Sequence, residues 1–139
     1  MIREILFKAK RKDNGGWVEG FLFHCLNNGE EWCIGNEPLS ANDYSEIIGE
    51  YRIWFPIDEN TICQYTGLTD KNGNKVWEND VVKDTDIHLL GSVEYDEEHG
   101  MYVINEVNDG YQNFQEFWSC TEVIGNIFDN PELLKGGAE

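Results

Sequence analysis

Lysine and arginine are scarce in this sequence, and both are missing from residues 84–134. The 139-residue chain has 10 basic and 27 acidic residues, which gives a formal net charge of −17 at pH 7. Residues 84–134 contain twelve acidic residues, whereas five of the ten bases lie within residues 1–12. Because a field of this sign repels phosphate groups, we expect no direct binding of nucleic acid.

Long apolar runs are also missing. Residues 1–12 alternate charged and apolar side chains, which is not the pattern of a secretory signal. No window approaches the roughly 18 uncharged apolar residues that a membrane-spanning helix needs. We therefore expect a soluble protein in the cytoplasm, with no membrane partner.

Cysteine is sparse, and no C-x-x-C motif is present. The four cysteines are Cys25, Cys33, Cys63 and Cys120. In a cytosolic protein they are expected to be reduced and to act as small hydrophobic residues. His24 and Cys25 are adjacent, and adjacent side chains of a strand point to opposite faces, so they are poor co-ligands for zinc. We expect no metal site and no cofactor.

Signatures of catalysis are absent as well. The sequence has no P-loop, no G-x-S-x-G motif and no H-E-x-x-H motif. The spacing of the three histidines along the chain does not indicate that any of them pairs with a nucleophile. Asp80 follows a predicted tight bend, and a turn-capping role is favoured over catalysis because Asp commonly accepts backbone N–H groups in turns. The prediction is that the protein is not an enzyme, and we assign no catalytic residue.

Aromatic residues, in contrast, make up 13% of the chain, which supplies a core and argues against disorder. Alternating apolar and polar residues, separated by Gly, Asn and Asp, favour short strands throughout. Helix is expected as a short turn at Glu132–Leu134, and residues 36–50 are expected to form a loop or one helical turn. The predicted strands cover residues 2–10, 17–26, 31–35, 51–57, 61–67 and 122–128, with hairpins over 64–82 and 91–107. The fold class is therefore all-β with little helix, and it begins with a β-meander.

Residues 64–82, QYTGLTDKNGNKVWENDVV, could form a calcium loop or a turn. Counted from Asp70, an EF-hand needs Gly at position 6 and Glu at position 12. Lys75 and Val81 occupy those positions, so the calcium loop is rejected.

A hairpin fits the same stretch. Asn72-Gly73 predicts a tight type I′ turn, because both residue types tolerate positive φ. A bend or bulge is predicted at Asn79-Asp80, since Asn also adopts the left-handed conformation.

The segment YQNFQEFW, residues 111–118, is the candidate interaction patch. Its aromatic members are Tyr111, Phe114, Phe117 and Trp118. The alternative is that this segment packs over the end of a sheet.

Three segments together, residues 63–82, 91–96 and 122–134, resemble the YopX family of phage and prophage proteins. The N-terminal strand and turn, residues 2–18, also look like the opening of that family. The family often has Glu-Gly-Asp where this chain has Glu-Asn-Asp at residues 78–80. The resemblance implies an all-β fold with an SH3-like small barrel in its C-terminal half, and it implies a phage-derived gene. It supplies no activity, because the family is functionally uncharacterised.

These observations predict a single YopX-like domain over residues 1–139. Its subdomains would be a β-meander over residues 1–60 and an SH3-like barrel over residues 61–134, with residues 135–139 as a flexible tail. We expect a phage accessory protein in the host cytosol that acts as a non-enzymatic interaction module. Its partner would be itself, in a homo-oligomer, or a host or phage protein.

Two alternatives remain open. An acidic DNA mimic would occupy a host nucleic-acid-binding enzyme through its arrayed carboxylates. A weaker alternative is a metal-dependent hydrolase, which requires carboxylates that converge in a pocket and bind a divalent ion.

Overall fold

The structure is a computed structural model, and it describes residues 5–25, 31–35, 54–84, 86, 88–107, 110–113 and 120–136. All paired strands among these residues are antiparallel, which confirms the all-β class. The helices that lie wholly within the described ranges are a 3-10 turn at Glu59–Thr61 and one short α-helix, α1, at Glu132–Gly136. None of the helices that the structure describes is long and apolar enough to cross a membrane.

The chain divides into two compact units, Met1–Gln64 and Tyr65–Glu139. The strands of unit 1 are β1 (Phe7–Lys10), β2 (Trp17–Cys25), β3 (Glu31–Gly35) and β4 (Trp54–Pro56). The division lies within β5 (Cys63–Thr69). The remaining strands are β6 (Lys75–Trp77), β7 (Asp80–Asp84), β8 (Leu89–Asp96), β9 (Met101–Glu106), β10 (Gly110–Asn113) and β11 (Glu122–Asn126).

Unit 1 is an antiparallel meander in the order β4-β3-β2-β1, with the first two residues of β5 paired to β1. Alternation along β1 buries Ala9, while Lys8 and Lys10 lie on the opposite face. Their ammonium groups lie 4.8 Å and 5.6 Å from the centroid of the Trp17 ring. The buried core residues are Ala9, Ile34 and Ile57, against which Phe7, Val18, Leu22, Trp32 and Ile62 pack.

The cysteines of unit 1 differ from the sequence expectation. Cys33 is disulfide-bonded, whereas Cys63 is a buried thiol outside any disulfide, and it donates to the Thr61 carbonyl oxygen at 3.3 Å. The expectation of reduced cysteines is therefore wrong for Cys33. Spacing along the chain does not reveal which sulfur atoms the fold brings together, so the sequence alone could not show this bond.

Unit 2 holds a five-stranded antiparallel sheet in the order β10-β9-β8-β7-β11, while β6 pairs with the later part of β5. Its buried apolar core contains Val76, Val82, Leu89, Val93, Tyr102 and Ile104. The described strands leave the sheet open, with β10 and β11 at its two edges. The SH3-like barrel is therefore not confirmed, because barrel closure would require those edges to pair.

The segment after β11 turns back over its own strand. A Cβ atom added at Gly125 would lie 2.5 Å from Asn130 Oδ1 and 2.9 Å from Leu133 Cδ1. The Asn126 side chain accepts hydrogen bonds from the backbone N–H groups of Phe128 and Asp129 at 3.0 Å and 2.9 Å. Gly125 is thus what allows the C-terminal segment to approach the sheet so closely.

Candidate functional site

The clearest candidate for a functional surface is the tip of the β8–β9 hairpin. Residues 97–100 connect the two strands, and Gly100 adopts φ 64° at the end of the turn. The N–H of Gly100 donates to the Asp96 carbonyl oxygen at 2.8 Å, which closes the turn. Four carboxylates at positions 94, 96, 97 and 98 are thereby brought to one end of the sheet.

Asp96 organises this turn through its side chain. Its Oδ1 atom accepts hydrogen bonds from the backbone N–H groups of Glu98 and His99 at 3.0 Å and 3.3 Å. Its Oδ2 atom lies 2.6 Å from Nδ1 of the His99 ring. Asp commonly accepts backbone N–H groups in this way, so the local role of Asp96 is to fix the turn.

The pKa of the Asp96 carboxyl is held below its ordinary value of 3.8. The hydrogen bond from the His99 side chain is the largest cause, and the backbone N–H groups of His99 and Glu98 act in the same direction. Burial acts in the opposite direction, and its effect is smaller than that of the His99 bond. Asp96 is therefore ionised at neutral pH and contributes a full negative charge to the hairpin tip.

The same turn borders a surface pocket of about 570 Å³. The lining residues are Glu94, Tyr95, Asp96, Glu97, Glu98, His99 and Val103. A concave surface lined by one sign of charge concentrates oppositely charged groups from solution. The pocket is therefore suited to a cationic ligand or to a basic side chain of another protein.

A tyrosine pair lies beside the pocket. Tyr95 is 46% exposed, and its ring meets the ring of Tyr102 edge-on with the centroids 5.1 Å apart. Tyr102 is buried in the core and opposes Tyr95 across β8 and β9. An exposed aromatic ring anchored on a buried one gives a binding surface a rigid apolar contact.

Asp96, Glu98 and His99 also form a group of potential metal ligands. Each offers one ligand atom, and the three atoms all lie within 4.8 Å of one another. Carboxylate and imidazole ligands suit divalent ions of the first transition row. The Asp96 oxygens are already engaged by the turn and by His99, so an ion would have to compete with those hydrogen bonds.

Asp70 is a second organising residue, and no local pattern in the sequence indicates its long-range role. It is 3% exposed, and its Oδ1 atom accepts the N–H groups of Asn72 and Asn74, both at 2.9 Å. Its Oδ2 atom accepts the N–H of Val123 at 3.0 Å. The carboxylate thereby ties the β5–β6 hairpin to the strand β11.

The pKa of the Asp70 carboxyl is also lowered. Burial is the largest single influence and raises the pKa, but the hydrogen bonds from Val123, Asn74 and Asn72 together outweigh it. The net result is a pKa below the ordinary value of 3.8, so the carboxylate is charged and fully hydrogen-bonded at neutral pH. These contacts indicate a structural role.

The predicted turn at Asn72-Gly73 lies at the end of the β5–β6 hairpin, but its type differs from the expectation. Gly73 has φ 83°, whereas Asn72 is not among the described residues with positive φ. The N–H of Gly73 donates to the Asp70 carbonyl oxygen at 3.0 Å. The geometry is that of a type I turn followed by a left-handed glycine, and not of a type I′ turn. The Asp70 side chain stabilises this alternative by accepting the N–H of Asn72.

The bend at Asn79-Asp80 lies at the junction of β6 and β7, and Asp80 is the first residue of β7. Asn79 has φ 71°, and its N–H donates to Val93 O at 2.7 Å while its carbonyl oxygen accepts the N–H of Ile127 at 3.0 Å. The buried Asp80 side chain accepts the N–H of Trp77 at 2.9 Å. Both residues therefore hold backbone groups of the bend in place.

The predicted aromatic patch falls mostly outside the described residues. Tyr111 lies in β10, where its backbone pairs with Asn105. Phe114, Phe117 and Trp118 are not within the described ranges. The patch stays a prediction.

The architecture defines an all-β protein of two antiparallel units with an acidic pocket at one hairpin tip. A comparison with protein families matches the model of the YopX protein family to residues 6–135, which is nearly the whole chain. The chain belongs to the YopX family. A search of curated proteins returned no match.

Proposed function

We propose that this protein is a non-enzymatic protein-interaction module, encoded by a phage or prophage and acting in the bacterial cytosol. The acidic tip of the β8–β9 hairpin is the proposed contact surface, and a basic protein of the host or the phage is the proposed partner. The observation that carries this proposal is the pocket of about 570 Å³ with four carboxylates and an exposed tyrosine on its wall.

Charge supports a basic partner. Residues 84–134 have twelve acidic residues and no lysine or arginine, so the field around this part of the chain attracts cations. Complementary charge speeds the encounter between partners and disfavours wrong ones. Val103 and Tyr95 add apolar contact area within the same pocket. A lysine- or arginine-rich surface with some apolar contact is therefore the best match.

The test compares two variants that remove the same number of charges. The hairpin variant carries Glu94→Gln, Glu97→Gln and Glu98→Gln, and it leaves Asp96 in place because Asp96 holds the turn. The control variant carries Glu59→Gln, Glu122→Gln and Glu132→Gln, which lie outside the pocket. Each tagged protein is used to capture partners from nuclease-treated host lysate at low and high salt.

We expect wild type and the control variant to retain one stoichiometric partner at low salt and to release it at high salt. The hairpin variant is expected to lose that partner at both salt concentrations. Equal retention by the two variants would mean that the hairpin tip is not the contact surface. Retention that high salt leaves unchanged would contradict the electrostatic basis of the proposal.

Self-association is the second part of the proposal. Among the described strands, β10 and β11 lie at the edges of the unit 2 sheet, and this supports self-association because an edge strand can pair with another chain. The register shift between Val123 and Gly125 disturbs one edge, which makes the β10 edge the better candidate. Sedimentation analysis over a range of concentrations is expected to give a mass above 16.1 kDa. A monomer mass at every concentration would contradict self-association.

A DNA mimic is the other candidate function, and the uninterrupted acidity of residues 84–134 favours it. The protein would then compete with DNA for a basic surface of a host enzyme. The captured partner should bind a labelled DNA fragment, and addition of this protein should release the fragment. A partner that binds this protein and DNA at the same time would exclude mimicry. The interaction module would then remain as the proposed function.

A further inference from the structure

We draw no further inference here: the strongest candidate, the Asp96, Glu98 and His99 side-chain cluster at the tip of the β8–β9 hairpin, read as a metal centre, is a solvent-facing group whose Asp96 oxygens already accept hydrogen bonds within the turn, and nothing among the described residues shows that an ion occupies it.

Discussion

The carboxylate of Asp70 accepts a hydrogen bond at 3.0 Å from the backbone N–H of Val123, a residue 53 positions further along the chain. The neighbouring backbone supports the same connection, because the N–H of Lys71 donates to the Thr121 carbonyl oxygen at 2.9 Å. The tip of one hairpin and the start of the strand β11 are thus held together by a charged acceptor and a backbone bond. Removal of the carboxylate should therefore affect the stability of unit 2.

The first prediction concerns the loss of this acceptor. Asp70→Ala leaves the N–H groups of Asn72, Asn74 and Val123 without the partner that they have in wild type. A buried polar group left without a partner costs about 1–3 kcal/mol. We expect the free energy of unfolding, measured by urea denaturation, to fall by an amount in that range, because the Val123 residue is partly buried whereas Asn72 and Asn74 are exposed. Asp86→Ala, at an exposed position, is the control and should change it by less than about 0.5 kcal/mol. Equal effects of the two substitutions would contradict the structural role of Asp70.

The second prediction is a pH dependence that belongs to Asp70. Its pKa in the folded protein lies below the ordinary value of 3.8, so the unfolded chain binds the proton more tightly. The stability that the carboxylate contributes is therefore complete above that ordinary pKa. It is lost as the pH falls through the lower pKa of the folded state.

The measurement is the difference in unfolding free energy between wild type and Asp70→Asn, from about pH 7 to about pH 3. The difference should be constant near neutral pH and should shrink in the acidic part of the range. The comparison cancels the contributions of Asp13 and Asp96, whose pKa values are also lowered but which both proteins share. A difference that stays constant over the whole range would show that ionisation of Asp70 does not contribute.

The third prediction tests the left-handed conformation of Asn79. Its φ of 71° is unfavourable for most residues that carry a Cβ atom, by roughly 1–2 kcal/mol, and is tolerated by Gly and Asn. Asn79→Gly should leave the melting temperature near that of wild type, whereas Asn79→Val should lower it by several degrees. Asn72→Val, at a neighbouring turn position without positive φ, is the control. If Asn79→Gly and Asn79→Val are equally unstable, the side chain of Asn79 matters more than its backbone conformation.

The fourth prediction concerns the close approach of β8 and β9. A Cβ atom at Gly91 would lie 2.5 Å from the Asn105 carbonyl oxygen. This oxygen is a backbone atom, so it cannot rotate away as the end of a side chain could. Gly91→Ala should therefore force the two strands apart and destabilise the protein by about 1–3 kcal/mol. At Gly16 the nearest atom is the side-chain Oδ1 of Asn14 at 3.1 Å, so Gly16→Ala is the milder control. Chemical denaturation of both variants measures the contrast, and a Gly91→Ala protein as stable as Gly16→Ala would contradict it.

The fifth prediction addresses metal binding directly. Since the Asp96 oxygens are already engaged by the turn and by His99, Mg²⁺, Mn²⁺ and Zn²⁺ should leave the melting temperature of the wild-type protein unchanged. An ion present at a hundred times its dissociation constant would add about 2.7 kcal/mol to the stability, which thermal unfolding would detect. His99→Ala is the control, because it removes one of the three candidate ligands. A thermal shift that wild type shows and His99→Ala lacks would instead support the metal-dependent hydrolase.

Local chemistry predicted much of the fold. The bend at Asn79 could be read from the sequence because Asn tolerates positive φ, and the strands followed from alternation that the core residues enforce. The type of the turn at Asn72-Gly73 could not be predicted from the sequence. It depends on the Asp70 side chain, which accepts two of the N–H groups in the loop. The hydrogen bond from the Val123 N–H to Asp70 could not be predicted from the sequence either, since no local pattern connects residues so far apart.

The candidate site was harder to predict than the fold. The sequence directed attention to the aromatic segment 111–118, where aromatic and amide residues are concentrated. The β8–β9 tip was predicted only as a turn, and its pocket arises from the way the strands place four acidic side chains at one end. A signal was present in the sequence, because Asp96, Glu97 and Glu98 are consecutive, but charge alone does not indicate a concave surface.

The order of the strands also bears on how the chain folds as it leaves the ribosome. The meander β1-β2-β3 joins segments that are neighbours in sequence, so it can form early in synthesis. The strand β7, in contrast, is paired on one side by β11, whose residues are made well after those of β7. Until they emerge, β7 presents an open edge and Asp70 lacks its distant donor. Unit 2 should therefore reach its final form only after β11 has emerged, and nascent chains halted before residue 122 should be sensitive to protease in unit 2.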